Sequence, residues 1–466
     1  MRLHWHRRDL RLADNRGLAE APDSPAGLFV FDDRVLDHAG PPRVVFMLEA
    51  LERLRAAYRK RGSELLVRYG DPASVLPEMA DRYDAEFVSW NRDYSGLANE
   101  RDDRVANALR DEGVTPQKFH DAICHEPGSI TTNAGDPYSV YTYFWKKWRD
   151  RPKDEPDPVP ELADIGSEAD GETPIPTVGD LGFDPPDASV PPAGTDAARE
   201  RLEAFLEEDV FRYDEARDYP AEGCTSGLSP HLKFGTIGIR ELDRRVRETR
   251  DAVEGEKRES VVEFRSQLAW REFYTHVLYF NPEVVTENYK TYENGIEWED
   301  DPELLAAWKR GETGYPIVDA GMRQLRTEAF MHNRVRMIVA SFLTKDLLID
   351  WRAGYEHFRE RLVDHDTAND NGGWQWAAST GTDAQPYFRI FNPMTQGERY
   401  DPDGEYIKTY VSELSGVDPE VIHSWHELTP TQRENAAPDY PAPIVDHSER
   451  REAALSMFER ARGEDS

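Results

Sequence analysis

Cysteine is nearly absent: the chain holds Cys124 and Cys224 and no others in 466 residues. That count excludes a disulfide framework and a cysteine-rich zinc site, and a lone bridge is not expected in a cytosolic chain. No metal centre is expected. No apolar run is long enough to cross a bilayer, so no membrane span is expected. The opening Met1-Arg-Leu-His-Trp-His-Arg-Arg-Asp carries charge where an export signal needs an apolar core, which points to the cytoplasm. Gly-x-Gly-x-x-Gly and Walker A loops are both missing, so nothing signals ordinary dinucleotide or nucleotide-phosphate binding by the first part of the chain. Positive charge is also short. Lys plus Arg number 57 against 90 Asp plus Glu, a formal charge of −33, and lysine is scarcer than arginine. Such a chain repels polyanions at low salt. The acid is spread along the chain and not blocked into a tail. An acidic surface for basic partners is one reading. A cytoplasm of molar salt, where the Debye length falls to about 3 Å, is the favoured one.

What is present divides the chain. Between residues 2 and 120, short apolar runs alternate with helical patterns. Ala26–Asp32, Leu65–Tyr69 and Glu86–Trp90 read as strands. Val44–Arg61, a segment after Pro72 and Asn99–Asp111 read as helices. This β-α repetition predicts an α/β domain with a doubly wound parallel sheet over 1–130, with ligands beyond the strand carboxyl ends. Residues 131–195 read as an interdomain linker. Its later part, with Lys153-Asp-Glu-Pro-Asp-Pro-Val-Pro and Gly171-Glu-Thr-Pro-Ile-Pro, is an exposed, proline- and acid-rich connection. From 196 to 466 strand signals nearly vanish, which predicts an all-α domain. Helices are expected over Arg199–Val210, Ile239–Arg250, Ser260–Tyr279, Pro302–Arg310, Val318–Glu328, Val335–Ile349 and Tyr355–Leu362. The Val335 segment is apolar around most of its circumference and so belongs at the centre, which leaves Arg334 and Arg336 in need of a partner or a ligand.

Four stretches resist a packing-only explanation. Tyr213, Arg217-Asp-Tyr-Pro and Thr225-Ser-Gly-Leu-Ser-Pro offer hydroxyl and backbone donors suited to phosphate oxygens, although the same cluster would serve as an ordinary helix cap. Gln267, Trp270 and Arg271 share one helix face and could hold a base, as could any amphipathic helix. Met331-His-Asn-Arg-Val-Arg-Met337 brings Asn333, Arg336 and Met337 together. Asp364–Gln396 mixes carboxylates, carboxamides, paired glycines and the tryptophans Trp374 and Trp376. On a helix these two indoles point different ways, and the buried carboxylates need partners.

These stretches, with Gly314-Tyr-Pro-Ile-Val-Asp-Ala-Gly-Met-Arg-Gln-Leu, resemble the photolyase/cryptochrome family, most closely the class I enzymes that repair cyclobutane pyrimidine dimers. The likeness runs from Trp5-His-Arg-Arg-Asp-Leu-Arg to Ile444-Val-Asp-His, essentially the whole chain. It implies an FAD in the helical domain, held by Tyr213, Thr225, Ser226, Gly227, Leu228, Ser229, Arg336, Asp364, His365, Asp366 and Asp370. Arg336 and Asp364 would form a buried ion pair. Trp374, Trp351 and Trp298 would carry electrons to the photoexcited cofactor. Gln267, Trp270, Asn333, Met337 and Trp376 would line a pocket for the lesion, with Arg217, Arg271, Arg334, Arg389 and Gln396 also on the DNA-binding side. The dimer would leave the duplex to reach the flavin, at lower cost because the damaged step is already weakly stacked. Reduced cofactor would donate an electron on excitation, the dimer would open, and the electron would return. The partner implied is damaged DNA containing pyrimidine dimers, with no membrane, and the protein is expected to be monomeric.

An antenna chromophore is implied in the α/β domain. His38, Arg43, Asn99 and Glu100 match folate-using members, whereas Asp136-Pro-Tyr-Ser-Val-Tyr and the Thr225 stretch look closer to deazaflavin users. The reading leans to deazaflavin over reduced folate. Two departures stand out. Gln267 occupies a position that is usually Glu in dimer repairers, and Gln donates through its amide but cannot transfer a proton. Asp370 stands where those enzymes usually carry Asn beside flavin N5, as in plant cryptochromes. A cryptochrome-type blue-light receptor is therefore one alternative, although it would normally bring a long extension after Val445. Repair of (6-4) photoproducts is another, with His332 as a candidate.

Overall fold

A computed structural model describes residues 1–20, 24–165 and 173–464; Gly171 and Glu172 of the proline-rich stretch lie outside the described residues. Strands β1 (Arg2–His6), β2 (Pro25–Phe31), β3 (Leu65–Tyr69), β4 (Phe87–Asn91) and β5 (Thr115–Phe119) form one sheet in the order β3-β2-β1-β4-β5. Every pairing is parallel. The crossover helices Pro41–Arg59 and Pro72–Arg82 begin at proline, whose missing N–H costs nothing there. Asp71 and Ser95 cap the Pro72–Arg82 and Gly96–Asp111 helices by accepting from Ala73 and Ala98 N–H.

β1 escapes a search for apolar runs because it reads Arg-Leu-His-Trp-His, yet all five residues are buried. Its polar groups are internally matched: His4 Nε2 lies 2.9 Å from Asp9 Oδ2 and His6 Nε2 2.7 Å from Tyr58 OH. The strand order reverses at β1 and β4, so their carboxyl ends form the switch point where α/β sheets bind ligands. Arg7, Arg8 and Asp93 follow directly on those ends.

The remainder is helical and built on two cores. One surrounds the 26-residue helix Gly255–Phe280 and takes in Tyr141, Phe144 and Trp148 from the Tyr141–Asp150 helix. That helix falls within 131–195, so this part of the connection belongs to the helical body. The second core holds the helices Pro316–Glu328, Asn333–Ser341, Trp351–Arg361 and Thr367–Ala377. The helix expected over Val335–Ile349 is central and buried, but it does not stay α-helical. After Ser341 it widens into a π-helical turn, Phe342–Asp346, and ends at Leu348 with φ of 56°. Leu347 N–H reaches Phe342 O, one residue further back than an α-helix would allow.

The two halves are joined by charge. Arg240 of the Ile239–Asp251 helix enters the α/β half, with Nε 2.6 Å from Asp14 Oδ1 and Nη2 2.5 Å from Asp121 Oδ1. Gly238 lies so close to Asp14 that a Cβ there would collide with its carboxylate. Glu272 provides a second tie. Buried on the Gly255–Phe280 helix, its carboxylate accepts from Cys124 N–H at 2.8 Å and His125 N–H at 3.0 Å.

Burial pushes the Glu272 carboxyl up from 4.5 to about 7, against the pull of these donors and Lys153. A carboxyl raised in the folded state stabilises fully below its unfolded value, and that contribution is lost as pH rises through the folded value. Stability attributable to Glu272 should therefore fall by roughly 3 kcal/mol between about pH 5 and about pH 8. Denaturant titrations of the parent and Glu272→Gln across that range check this. The stability gap between them should change with pH, and parallel curves would contradict the assignment.

Candidate functional site

The Thr367–Ala377 helix organises the site. Asp366 caps it by accepting from Asn369 N–H. Two glycines thin one side. A Cβ on Gly372 would enter the Tyr274 ring, whereas one on Gly373 would meet nothing within 4 Å. Trp374 turns inward, at 2% exposure, and Trp376 turns outward against Phe391, with ring centroids 6.4 Å apart. The two indoles thus leave the helix in different directions, as their spacing predicts, although both pack on one core.

Arg336 is the fixed charge of this pocket. Its Nη2 lies 2.8 and 3.0 Å from the Asp364 oxygens, Nη1 is 3.6 Å from Asp370 Oδ1, and Nε donates to Met331 O at 2.8 Å. Burial opposes its charge, but Asp364 and Asp370 outweigh that and hold the guanidinium protonated. Ser229 Oγ donates to Asp364 Oδ2 at 2.6 Å, which ties the Thr225–Ser229 loop to the same carboxylate. Asp370 Oδ2 also faces His365 Nδ1 at 2.6 Å, on a bent approach. Asp366 is bound from across the domain seam by Arg8 Nη2 at 2.6 Å. Burial alone would raise the Asp366 carboxyl; Arg8, Lys233 and Arg271 reverse this and hold it far below the usual range.

Trp374 lies directly over Gly354 of the Trp351–Arg361 helix, leaving no room there for a Cβ. Trp351 is fully buried and donates Nε1 to Asn288 Oδ1 at 2.9 Å. Trp298 is partly buried on the same core, 6.0 Å from the Phe458 ring. The three indoles thus share one core, with Trp374 and Trp351 buried and Trp298 partly exposed.

Trp270 stacks on Tyr141 with centroids 3.6 Å apart and planes at 11°. Asn333 is exposed, and its amide reaches Met337 Sδ at 3.9 Å. Gln267 folds back onto Glu263 Oε1 at 3.1 Å. Arg217 is paired with Glu263 at 2.6 Å and Arg334 with Asp218 at 2.7 Å. Arg389 is exposed and Gln396 half-buried on the segment that follows Trp376.

Two arginines lie in the domain seam. Arg271 does not share an outward face with Trp270. Its guanidinium turns into the seam, where it donates to Ala122 O at 2.8 Å and Leu232 O at 3.3 Å and helps line a small cleft of about 20 Å³ with Arg8, Asp93, Tyr94 and Asp366. A long side chain can reach beyond the face that its Cβ defines. Arg43, expected beside an antenna, is buried in the seam and donates to the carbonyls of Arg359, Leu362 and His38. His332 is buried and caps its helix by accepting from Arg334 N–H at 3.2 Å.

Residue-by-residue reading overlooked Arg8, Lys233, Glu263 and Asp218, all ion partners supplied by distant parts of the chain. Tyr141 ends the quoted Asp136-Pro-Tyr-Ser-Val-Tyr stretch, but nothing local shows that it stacks on Trp270.

The residues suit a flavin dinucleotide. Thr225, Ser226 and Ser229 bring hydroxyls suited to a pyrophosphate, and Asp364 and Asp370 can accept from ring N–H groups. Trp374 Nε1 is buried with no partner in the protein. Residues 2–163 match the family model described as DNA photolyase, and residues 264–460 match the FAD binding domain of DNA photolyase. The chain is 63% identical to the deoxyribodipyrimidine photo-lyase of Halobacterium salinarum, with 100% of both chains covered. It is 43% identical to that of a Synechococcus species, covering 98% of this chain and 96% of the relative. Its structure is similar to that of a bacterial class III photolyase from Agrobacterium tumefaciens, with a TM-score of 0.91 and 35% identity, covering 99% of this chain and 98% of the other.

Removing Arg336 leaves Asp364 buried beside an uncompensated Asp370. Arg336→Ala should destabilise the protein by about 3–5 kcal/mol, and Arg336→Lys, which keeps the charge without the fork, by less. Denaturant unfolding measures both. A loss below about 1 kcal/mol in the alanine variant would show that the pair is dispensable.

Proposed function

This chain belongs to the DNA photolyase family, and from that premise we infer that it is a deoxyribodipyrimidine photo-lyase, which uses light to split cyclobutane pyrimidine dimers in DNA. The observation that carries the reading is the ionic cluster: a buried Arg336 clamped by Asp364 and Asp370, with Ser229 tied to the same Asp364 carboxylate. FAD, when bound, supplies the photochemistry by giving an electron to the dimer and recovering it after the ring opens.

The chain's own residues bind, orient and exclude water. Thr225, Ser226, Ser229 and Arg271 hold the phosphates. Arg336, Asp364, Asp366 and Asp370 fix the ring and set the charge around it. Trp374, Trp351 and Trp298 conduct electrons inward from the surface. Trp270, Trp376, Asn333 and Met337 receive the extruded dimer, and Gln267 offers it an amide donor. Arg217, Arg334, Arg389 and Gln396 contact the flanking strand. The buried capping role of His332 lends no support to (6-4) repair. The Asp370–His365 contact is the one feature favouring a light-sensing role, and it is compatible with repair.

Residues 1–130 form the antenna unit, joined through 131–195 to the catalytic helical unit. Deazaflavin remains favoured over reduced folate: Arg43 is consumed by backbone carbonyls, His38 and Glu100 are exposed, and the seam cleft opens at the β1/β4 switch point. The protein acts as a monomer in a high-salt cytoplasm.

Illumination of reduced protein with a dimer-containing oligonucleotide in molar salt should restore thymine absorbance, with about one FAD per chain and no change in the dark. Intact DNA dimers after illumination of flavin-loaded protein would overturn the reading.

The charge of −33 gives a second expectation. Arg217 and Arg334 must leave Glu263 and Asp218 to meet phosphates, and each freed carboxylate recruits a cation from solution. That uptake offsets the counterions released from DNA. Lesion binding should therefore lose affinity with salt less steeply than counterion release alone predicts. Glu263→Gln and Asp218→Asn should each bind tighter, with a steeper salt dependence. Fluorescence anisotropy decides, and unchanged affinity and slope in both variants would contradict it.

A further inference from the structure

Tyr141 opens the Tyr141–Asp150 helix, whose Phe144 and Trp148 are anchored in the core around the Gly255–Phe280 helix. That helix receives no side-chain cap from Val140, the residue before it. The cap comes from far along the chain. Tyr141 N–H donates to Asp383 Oδ2 at 3.1 Å, and Thr382 Oγ1 donates to Ser139 O at 2.7 Å. A carboxylate there answers an orphan donor and the positive end of the helix together. Thr382 and Asp383 lie on the segment that follows Trp376.

The Tyr141 side chain serves the other indole. Its ring stacks on Trp270, nearly parallel at 3.6 Å, and its hydroxyl donates to Ser266 O at 2.6 Å. In an α-helix that carbonyl also accepts the Trp270 N–H, so ring and hydroxyl hold the same turn. Phe273 meets the indole edge-on, with centroids 5.6 Å apart. Trp270 stays half-buried, but Tyr141 closes one of its faces, so a base can stack only on the other.

We propose that Tyr141 is a positioning residue for lesion binding: it fixes the plane of Trp270 and, through its backbone, ties that indole to the segment following Trp376. This rests on the reading of Trp270 and Trp376 as receivers of the dimer. A base stacks well on an indole only when the two planes are aligned. A plane held before DNA arrives need not be ordered on binding, so affinity is gained through preorganisation. Tyr141 acts from the covered face of Trp270 and does not touch the dimer.

The ratio of affinities for dimer-containing and undamaged oligonucleotide, measured by fluorescence anisotropy in molar salt, tests this. Tyr141→Leu keeps apolar bulk and the backbone N–H but removes the stack. Its ratio should fall about three- to tenfold, with undamaged-DNA affinity and bound FAD within about twofold of the parent. Tyr141→Phe keeps the ring and should keep the ratio. Asp383→Gly removes the acceptor without straining a residue at φ of 46°. It leaves the core intact, so it tests the backbone tie even where Tyr141→Leu fails to fold, and its ratio should also fall. In a Trp270→Leu background, Tyr141→Leu should have no further effect, because the tyrosine acts through the indole. An unchanged ratio in Tyr141→Leu or Asp383→Gly, additive losses in the double variant, or a Tyr141→Phe variant as weak as Tyr141→Leu would overturn the proposal. So would an equal loss of undamaged-DNA affinity or flavin, which marks a merely structural role. A parent protein that does not distinguish the two oligonucleotides would instead overturn the reading on which it rests.

Discussion

A guanidinium buried in an acidic protein constrains everything around it. Arg336 cannot sit at the start of a core helix without carboxylates, and Asp364 cannot be buried without a cation. Asp364 in turn holds Ser229, so the Thr225–Ser229 loop is positioned by the same carboxylate that answers the buried guanidinium. Breaking the pair would leave the loop and the acidic segment without a common reference point. The next carboxylate, Asp366, extends the order outward. Its partner Arg8 follows β1, so the sheet's switch point is tied directly to the helical pocket. The α/β half thus supplies a cation to the acidic segment of the helical half.

The same principle governs the domain seam, where Arg240, Arg11, Asp14 and Asp121 form an ionic group with almost no exposure, extended outward by Asp157. Salt acts differently on such groups and on the surface. Exposed carboxylates repel one another, and molar salt quenches that repulsion within about 3 Å. Pairs removed from solvent are screened far less. An acidic chain can therefore carry its excess charge outside while its architecture is fixed by arginine–carboxylate pairs inside. The planar fork of arginine suits this better than lysine, and the scarcity of lysine in the sequence fits that use.

Much of the fold was legible because local pattern and final environment agree. Leu65–Tyr69 reads as a strand and is one to the residue, and Pro302–Arg310 reads as a helix with the observed bounds. β1 was illegible in detail because its buried face is made of histidines matched by Asp9 and Tyr58, groups that a hydropathy pattern counts as polar. The π-helical turn after Ser341 was illegible because widening a helix by one residue leaves its apolar character unchanged. At the site, the Arg336–Asp364 pair followed from the need to compensate a buried charge. The direction of Arg271 did not, because a side chain of that length chooses between a solvent face and two carbonyls that only the tertiary fold brings near. Gln267 was placed on the right helix, but its turn back onto Glu263 depends on a neighbour that no motif singled out.

The tryptophans add a directional constraint. An indole that has lost an electron is positively charged, and burying that charge without compensation is costly. Trp374 and Trp351 are enclosed, at 2% and 0% exposure, whereas Trp298 is only partly buried. Its chain neighbours are Glu297 and Glu299, followed by Asp300 and Asp301. Glu297 and Glu299 are largely exposed and engaged by Arg460 and Arg450, so part of their charge is already answered, but the segment remains net acidic. A positive charge is therefore better accommodated at Trp298 than at either inner indole, through solvent and through acid together. For the electron path proposed through these indoles, moving electrons inward is equivalent to moving that charge outward, so burial and surface acidity would both favour that direction.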